Sequence, residues 1–453
     1  MSQKIGIWGL GIVGKSAIQY FSKKDVILEV LDKREPTIEE QQFLNVHKAS
    51  FFTNQELLPF LERNDLILPS CGIDLRPYDQ FNHKWLSELD LFSKECIKPI
   101  IAITGSVGKT TVTHLLSHLL IANDKKVFTG GNIGVGLLER IDEANNADLV
   151  VLEVSSFQLE RCKEFAASFG IFTNLHANHL DRHGSIQAYI NAKMNIISLQ
   201  HDNNTGLLPL SLFDCIPQEI VNSRPLHFFT SQVPTQNDFL LMGELHKLYF
   251  LHNSTLMMSY QTTISKIYDF IELPFISYTE NVIILAATLH ILGCSLEKFV
   301  AIINAQELPE HRLEKIATIN EIDFYNDSKA TIPASTLAAI EKIKGRPIVL
   351  FLGGVSKGVD RGDFVRQISS RVRFVFCFGK EAEQLKSFCD TNNIPAAAFA
   401  TLEDAFITLP GAIRPKDQIL FSPAGASFDL FANYQERGNY FKKLVQKIER
   451  SLC

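Results

Sequence analysis

Short apolar runs, separated by longer and more polar stretches with helical periodicity, recur along this chain. In the first hundred residues the apolar runs are Lys4 to Trp8, Val26 to Leu31 and Asp65 to Leu68, and a helix is expected to start near Lys15. Strands that alternate with helices are typical of a parallel sheet. A polar helical stretch then leads to about Lys98.

The same alternation continues through the middle of the chain. Helices are predicted from Thr110 to about Asn123 and from Asn281 to Leu292. Residues 201–275 are less regular, and a small antiparallel hairpin is expected over Asp238 to Tyr260. Apolar strands are predicted at four places: Pro99 to Ile103, Lys126 to Thr129, Leu149 to Val154 and Phe169 to Thr173.

A third segment begins near Leu308, and its apolar strands each end in a small-residue turn. These strands are Pro347 to Leu352, Phe374 to Phe378 and Asp417 to Phe421. Ligands of open α/β sheets bind at such carboxyl ends. The predicted fold class is α/β, with three domains that are each built on a mainly parallel sheet. We place the domains at residues 1–96, 97–306 and 307–453.

Composition narrows the class of protein. Hydrophobic residues make up 46% of the 453 and charged residues 21%, as in ordinary globular domains. The net charge of −6 argues against a nucleic-acid partner, and no apolar run is long enough to predict membrane insertion. The N-terminus lacks the order of a signal peptide. Eight scattered cysteines without a CxxC pair predict reduced thiols in the cytoplasm, with neither disulfides nor a zinc site.

The segment TGSVGKTT has the sequence of a phosphate-binding loop between a strand and a helix. Its glycines let backbone N–H groups turn toward phosphate oxygens, and the helix N-terminus adds its positive dipole end. Lys109 can reach the β- and γ-phosphates, and Thr110 can bind Mg²⁺. Ile103 stands where the longer GxxxxGK pattern has glycine, so the loop is a shorter form. The candidate ATP ligands here are Gly105, Ser106, Val107, Gly108, Lys109, Thr110 and Thr111.

A second glycine motif, GLGIVG at residues 9–14, follows the first strand, and Asp32 closes the next one. This arrangement is typical of dinucleotide-binding turns, in which the acidic residue contacts a ribose. It is equally compatible with a plain strand-to-helix turn or with a site for another nucleotide. The residues alone leave these alternatives open.

Glu153 ends a strand in the phosphate-loop domain and is followed by Ser155 and Ser156. A carboxylate in this place is typical of a magnesium ligand. The alternative is a helix start that is merely capped by one of the serines. We favour the magnesium interpretation.

Two segments are harder to interpret from their residues. The spacing of His176, His179 and His183 suggests a transition-metal site, but no cysteine lies nearby. The residues alone leave a solvated loop and a single functional histidine equally open. The nearby Lys193 is of a kind usually found at the surface.

In the third segment, NDSKAT at 326–331 could start a helix with an aspartate cap. The turn that begins at Ser422 is expected to bury Phe428 and Phe431 in the core.

Taken in order, these motifs resemble the Mur ligases of peptidoglycan precursor synthesis, and the resemblance covers essentially the whole chain. The C-terminal motif resembles the branch that adds D-glutamate to UDP-N-acetylmuramoyl-L-alanine. The motifs are TGSVGKTT, GGNIG (130–134), LEVSSFQLE (152–160), NHLDRH (178–183), NDSKAT, LGGVSKG (352–358) and SPAGASFDLFANYQERG (422–438).

The resemblance implies a Rossmann-like first domain, a P-loop ATPase-like central domain and a Rossmann-like C-terminal domain. The UDP-sugar substrate would be bound by Ile12, Val13, Arg34, Ser70, Gly72 and Asn132. Further ATP contacts would come from Asn281, Arg312 and Asp327. D-Glutamate would be bound by Lys329, Thr331, Lys357, Ser427 and Tyr434.

The resemblance also implies the catalytic groups and the reaction. Lys109, Glu153, His179 and Lys193 would be catalytic. The magnesium ligands would be Thr110, Glu153, His179 and a carbamylated Lys193. ATP would convert the substrate carboxylate into an acyl phosphate, which the amine then attacks to form an amide. The enzyme is expected to be a cytoplasmic monomer that uses ATP and Mg²⁺.

Other functions stay open. Ile284, Ile332 and Val355 depart from the family pattern, so a Mur ligase of different amino-acid specificity is the main alternative. A folylpolyglutamate synthetase-like activity is a close competitor within the ligase class. An NAD-dependent oxidoreductase and a non-enzymatic ATP-binding scaffold are more distant.

Overall fold

A computed structural model describes residues 2–132, 134, 136–261, 263–273, 279–306, 310–343 and 345–452. Three sheets organise the chain, and most of their strand pairs are parallel. Ile133 of the GGNIG motif, Leu308 at the predicted start of the third segment, and Cys453 lie outside the described residues.

The first sheet has four parallel strands in the order β3-β2-β1-β4. Its elements are β1 (Gln3–Trp8), α1 (Ile12–Phe21), β2 (Val26–Asp32), α2 (Ile38–Val46), β3 (Ala49–Thr53), α3 (Leu57–Arg63), β4 (Leu66–Pro69) and α4 (Glu88–Glu95). The chain runs from β1 outward to β2 and β3 and then returns to the other side as β4. The turns after β1 and β4 therefore flank a topological switch point, where such sheets bind ligands.

The second sheet has nine strands in the order β13-β12-β11-β10-β9-β8-β5-β7-β6. The strands from β6 to β11 are parallel, whereas β12 and β13 form an antiparallel extension. The strands are β5 (Ile100–Thr104), β6 (Val127–Gly131), β7 (Leu149–Glu153), β8 (Phe169–Phe172), β9 (Thr205–Pro209), β10 (His227–Thr230), β11 (Lys247–His252), β12 (Thr255–Tyr260) and β13 (Thr263–Asp269). The helices of this part of the chain are α5 (Lys109–Ile121), α6 (Ile141–Asn145), α7 (Ser156–Leu159), α8 (Leu180–His183), α9 (Ile186–Ser198), α10 (Gln218–Ser223), α11 (Gln236–Met242), α12 (Thr279–Ile291) and α13 (Phe299–Ala305).

The described residues between 201 and 273 are more regular than the sequence predicts. They contribute β9 and β10 to the parallel part of the sheet. The expected hairpin over Asp238 to Tyr260 is partly wrong, because α11 occupies its first residues and the hairpin consists of β11 and β12. A capping box at Thr235 and Asp238 starts that helix.

The third sheet has six strands in the order β14-β15-β19-β16-β17-β18, and only β14 is antiparallel to its neighbour. Its strands are β14 (Glu314–Ile319), β15 (Ile322–Asn326), β16 (Ile348–Gly353), β17 (Val372–Phe378), β18 (Ala396–Phe399) and β19 (Gln418–Phe421). The helices are α14 (Pro333–Lys342), α15 (Gly362–Ile368), α16 (Ala382–Thr391), α17 (Leu402–Ile407) and α18 (Tyr434–Leu452).

Two compact units divide the described residues. The first holds residues up to 175, 187–273 and 279–305, and it contains the first and second sheets. The second holds residues 176–186, residue 306 and those from 310 onward, and it contains the third sheet. The central strands β5 and β8 are buried along their whole length, as expected for parallel strands with helices on both faces. None of the described helices combines the length and apolar composition needed to cross a bilayer.

His227 is a buried histidine in the second sheet, next to the rings of Phe169 and Tyr249. Its Nδ1 has no hydrogen-bond partner among the described residues. Burial, helped by the charge of Lys247, lowers the pKa of this side chain from 6.5 to about 3. The fold therefore requires the neutral imidazole.

This requirement predicts acid sensitivity. Below the unfolded pKa of 6.5, only the unfolded state takes up the proton, so stability is lost as the pH falls toward 3. Between pH 6.5 and pH 5 the loss attributable to His227 is about 2 kcal/mol. The free energy of unfolding should be measured with denaturant at several pH values for the protein and for His227→Gln. It should fall more steeply between pH 6.5 and pH 5 for the native chain than for the variant.

The exposed His201 offers a control for the histidine-to-glutamine change itself, in the variant His201→Gln. Equal slopes for the native chain and His227→Gln would contradict the prediction.

Candidate active site

The phosphate loop occupies residues 105–108, between the end of β5 and the start of α5. Gly105 has φ +143° and Gly108 has φ +86°, which are conformations that suit glycine. A Cβ atom at Gly105 would also lie only 2.0 Å from Oγ1 of Thr173. Ile103, which replaces a glycine of the longer pattern, is a fully buried strand residue paired with Glu153. Because the loop is shorter, residue 103 belongs to the strand, and its side chain packs in the core.

Side chains from β8 and the following turn hold this loop. Thr173 Oγ1 donates to the carbonyl of Val107 (2.6 Å). Asn174 accepts from the N–H of Val107 (3.0 Å) and donates to its carbonyl (3.1 Å). Ser106 Oγ lies 3.1 Å from the hydroxyl of Tyr189. Thr173, Asn174 and Tyr189 therefore brace the loop.

The start of α5 is an anion-binding end. The helix has 13 residues and no acidic residue in its first turn, so its positive end is not neutralised locally. Lys109 Nζ donates to the carbonyls of Gly105 (2.9 Å) and Ser106 (3.3 Å) in its own loop. The ammonium group is thus already at the loop that would hold phosphate.

Glu153 ends β7 beside the loop strand and is only 3% exposed. One carboxylate oxygen accepts from the amide of Asn132 (3.2 Å), whereas Oε2 is buried without a hydrogen-bond partner among the described residues. A buried carboxylate oxygen of this kind is costly unless a cation binds it. The neighbouring Ser155 caps α7 in a capping box with Gln158. The cap interpretation is therefore correct for Ser155 and leaves Glu153 for another role.

Lys193 lies on α9 and is 1% exposed, so the expectation of a surface lysine is wrong. Its Nζ donates to Thr104 Oγ1 (3.2 Å) and to the carbonyl of Gly105 (2.9 Å). Burial and the charge of Lys109 lower the pKa of Lys193 well below its usual value, against the opposing effect of Glu153. A lysine in these surroundings is biased toward the neutral, nucleophilic amine.

Asn281 lies on the other side of the phosphate loop. It is fully buried in α12, and neither polar atom of its amide has a partner among the described residues. A Cβ atom at Gly108 would lie 3.0 Å from its Oδ1. The amide is therefore placed against the loop with unused hydrogen-bonding capacity.

Several predicted ligands of the UDP-sugar lie in the turns of the first sheet, around its switch point. Ile12 is 61% exposed at the start of α1, and Val13 is half-buried beside it. Ser70 packs against Gly9, since a Cβ atom there would lie 2.3 Å from Ser70 Oγ, and Gly72 faces open space. Arg34 instead forms a bidentate pair with Glu40 (2.6 and 2.8 Å).

Asp32 does not behave as a free ribose ligand. Its carboxylate accepts hydrogen bonds from the N–H groups of Leu10 (2.6 Å) and Arg34 (3.3 Å). It therefore stabilises the glycine turn itself, which weakens the NAD alternative.

In the second unit, Asp327 is buried and accepts from Ser422 Oγ (2.7 Å) and from the N–H of Leu313 (3.0 Å). Burial raises its pKa to about 6. Asp327, Arg312 and Lys329 line one small cleft. Asp327 is not a helix cap, because α14 begins only at Pro333.

The cation of Lys329 lies 5.4 Å from the ring of Tyr434, which begins α18. Ser427, seven residues before Tyr434 in the sequence, is buried, and Thr331 is half-buried. The grouping of all five predicted D-glutamate ligands in one site stays a prediction. Phe428 is 74% exposed, so its expected core position is wrong, whereas Phe431 packs partly buried against the core.

His179 precedes the four-residue α8 with a left-handed φ of 55°, and its N–H donates to Asn178 Oδ1 (3.0 Å). Lys357 also has positive φ, and the adjacent Gly358 approaches the backbone of Asp181. Among the described residues, no group of three or more His, Cys, Asp or Glu side chains could hold a metal ion. The three histidines, which are all among the described residues, therefore do not form such a group with one another.

Family models match two parts of the chain. Residues 103–216 match the Mur ligase middle domain, and residues 311–425 match the Mur ligase glutamate ligase domain. The first match contains the phosphate loop, Glu153 and Lys193, and the second contains Asp327, Lys329 and Lys357.

Solved structures share the fold over nearly the whole chain. A pseudomurein peptide ligase type C from Methanothermus fervidus is 16% identical, with a TM-score of 0.57 over 99% of this chain and 100% of its own. A MurF ligase from Thermotoga maritima, solved in complex with ADP, is also 16% identical, with a TM-score of 0.55 over 97% and 98%.

Curated relatives span the same length. A UDP-N-acetylmuramoylalanine–D-glutamate ligase from Acidobacterium capsulatum is 32% identical over 98% of this chain and 96% of its own. The enzyme of that name from Desulfotalea psychrophila is 31% identical over 98% and 96%. The chain therefore belongs to the UDP-N-acetylmuramoylalanine–D-glutamate ligase family of Mur ligases.

Proposed function

We propose that this chain is an ATP-dependent ligase that joins the terminal carboxylate of UDP-N-acetylmuramoyl-L-alanine to the amine of D-glutamate. One observation supports this most directly. A braced phosphate loop, a buried carboxylate with an unused oxygen at Glu153 and a buried lysine at Lys193 meet at one edge of the second sheet. That combination is suited to activating a carboxylate with ATP rather than to redox chemistry.

The reaction needs activation because a carboxylate does not react with an amine. A carboxylate oxygen of the substrate attacks the γ-phosphorus of ATP, the bond to the β-phosphate oxygen breaks, and ADP leaves. Lys109 and the N–H groups of the loop stabilise the charge on the phosphate oxygens. The amine of D-glutamate then attacks the acyl carbon, and inorganic phosphate leaves as the amide forms and the amine loses its proton.

Magnesium fits the residues at this edge. Thr110 and Glu153 would bind it next to the phosphates, and carbamylated Lys193, which lies beside the same loop, would be a further ligand. His179 stays a predicted ligand of a second ion. When bound, the metal supplies positive charge to the phosphate oxygens. The unused buried oxygen of Glu153 supports this assignment.

Carbamylation of Lys193 has a physical basis in its surroundings. The neutral amine attacks the carbon of CO₂, an N–C bond forms, and the amine proton is released. The product is an anionic carbamate in place of a cation. Its negative charge would offset that of Lys109, which otherwise disfavours a second buried cation nearby.

The remaining predicted residues are assigned to the UDP-sugar, to ATP and to D-glutamate. We assign the UDP-sugar to Ile12, Val13, Arg34, Ser70, Gly72 and Asn132. Arg312 and Asp327 are assigned to the ribose and adenine side of ATP, and Asn281 to a further ATP contact. D-Glutamate is assigned to Lys329, Thr331, Lys357, Ser427 and Tyr434. We also propose that the enzyme works as a cytoplasmic monomer, which its free thiols suit.

The amino acid is the part of this proposal that most needs a direct test. Ile284 and Ile332 are both buried and apolar, and Val355 pairs with Ala426. Release of ADP should be measured with UDP-N-acetylmuramoyl-L-alanine against D-glutamate, L-glutamate, D-aspartate and L-lysine. We expect turnover with D-glutamate to exceed the others by at least about a hundredfold, since a charged group that lacks its partner costs several kcal/mol.

Preference for another amino acid would show a sister specificity. ADP release that needs neither the UDP-sugar nor an amino acid would contradict the ligase function itself.

Lys109→Met tests the phosphate loop. Loss of this cation removes charge stabilisation at the γ-phosphate, so ADP formation should fall by at least about a hundredfold. The far-UV circular dichroism spectrum should be unchanged. Lys125→Met, an exposed lysine that follows the same helix, should keep full activity. Normal turnover by Lys109→Met would rule out the assignment.

Lys193→Ala tests the carbamate. We expect almost no activity in bicarbonate-free buffer and partial recovery when formate or acetate is added, because a small carboxylate can occupy the vacated space. Lys193→Arg should not recover, since the guanidinium fills the site and cannot form a carbamate. A carbamate carbon signal from ¹³CO₂ should appear in the native protein only. Full activity of Lys193→Ala would refute the hypothesis.

A further inference from the structure

Arg161 connects the second sheet to the first. It follows α7, two residues beyond its end, and its guanidinium donates to backbone carbonyls of the turn after β4. Nη1 donates to Pro69 (3.2 Å) and Ser70 (2.9 Å), and Nη2 donates to Cys71 (3.4 Å) and Ile73. One side chain thus holds four carbonyls of a single turn.

That turn forms one wall of the switch-point crevice. The N–H of Ser70 donates to the carbonyl of Trp8 (2.8 Å), and its side chain packs against Gly9 on the opposite wall. Gly72 is exposed and faces open space. The conformation of this turn therefore sets the width and lining of the crevice.

Four carbonyl groups that point toward one spot repel each other unless a cation lies between them. Hydrogen bonds from a charged donor are the stronger kind, and the planar guanidinium can serve several acceptors at once. An ammonium group at the end of a lysine is a point charge with a different shape and reach. An arginine in this place is therefore suited to fixing the turn, and a lysine can do so only in part.

We propose that Arg161 is a positioning residue for the uridine diphosphate part of the sugar substrate. It acts through the turn at residues 69–73, which it holds in the conformation that binds the nucleotide. The assignment rests on the proposed function, because that function places UDP in this crevice. It adds a residue that follows α7 to a crevice lined by the turns of the first sheet.

UDP alone is the probe, and the native tryptophans provide the signal. The chain has two tryptophans, Trp8 and Trp85, whose rings lie 6.3 Å apart beside the first sheet. Their emission should change as UDP binds. Arg161→Met should weaken UDP affinity by about tenfold or more, and Arg161→Lys by less.

Lys163→Met is the matched control. Lys163 lies two residues further along and donates to the carbonyl of Asn82 (3.3 Å), outside the turn. Its replacement should leave UDP affinity unchanged.

Steady-state kinetics separate positioning from general damage. For Arg161→Met, KM for the UDP-sugar should rise about as much as the UDP dissociation constant, whereas kcat and KM for ATP should stay near native values. Unchanged UDP affinity in Arg161→Met, absence of UDP binding by the native protein, or equal losses for UDP and ATP would each overturn the proposal. If Arg161→Met weakens UDP binding but the native chain forms no amide, the ligase reaction fails and the role of Arg161 stands.

Discussion

The burial of two ionisable side chains next to one backbone loop is the constraint on which the active edge of the second sheet depends. Glu153 and Lys193 are almost fully buried, and both lie beside the glycine loop. Neither side chain is stable there in its charged form without a partner, because removal of a charge from water is costly. Thr104, Gly105 and Asn132 satisfy these groups only in part. The protein therefore folds around a site that favours the binding of phosphate and cations.

In the turns of the other sheets, arginine side chains donate hydrogen bonds to backbone carbonyls. Arg161 holds the turn after β4, and Arg361 donates to the carbonyls of Gly353 (2.9 Å) and Gly354 (3.2 Å) after β16. The fully buried Arg437 joins Ser328 to Gly425 (2.9 Å). Parallel sheets place their ligand-binding turns at one edge, and such turns lack partners for their carbonyls. A guanidinium supplies several donors and keeps each turn in one conformation.

Sequence patterns predicted the features that depend on neighbouring residues. The strands before and after the glycine loop, the loop itself and α12 all follow from apolar runs and glycine spacing. The strand β18 was missed because its sequence, AAAF, has no β-branched residue. β9 and β10 were missed because their place in the sheet depends on pairing with distant strands.

The chemistry of single residues was less predictable. Lys193 resembles a surface residue until the packing of α9 shows that it is buried. The roles of Asn174 and Arg161 arise from contacts 67 and about 90 residues away in sequence. Residue type and spacing carry no signal for such contacts. The family resemblance supplied what local patterns lacked for Lys193, but not for Arg161.

The pairing of Ile103 with Glu153 determines whether a folded molecule can be active. Side chains alternate between the two faces of a strand, so a slip of one residue between β5 and β7 would move Glu153 to the opposite face. The apolar residues of the two strands would tolerate this change of face better than the carboxylate of Glu153 would. Such a molecule would be compact yet inert. The fraction of catalytically competent molecules in a preparation is therefore a measure of how faithfully these two strands have aligned.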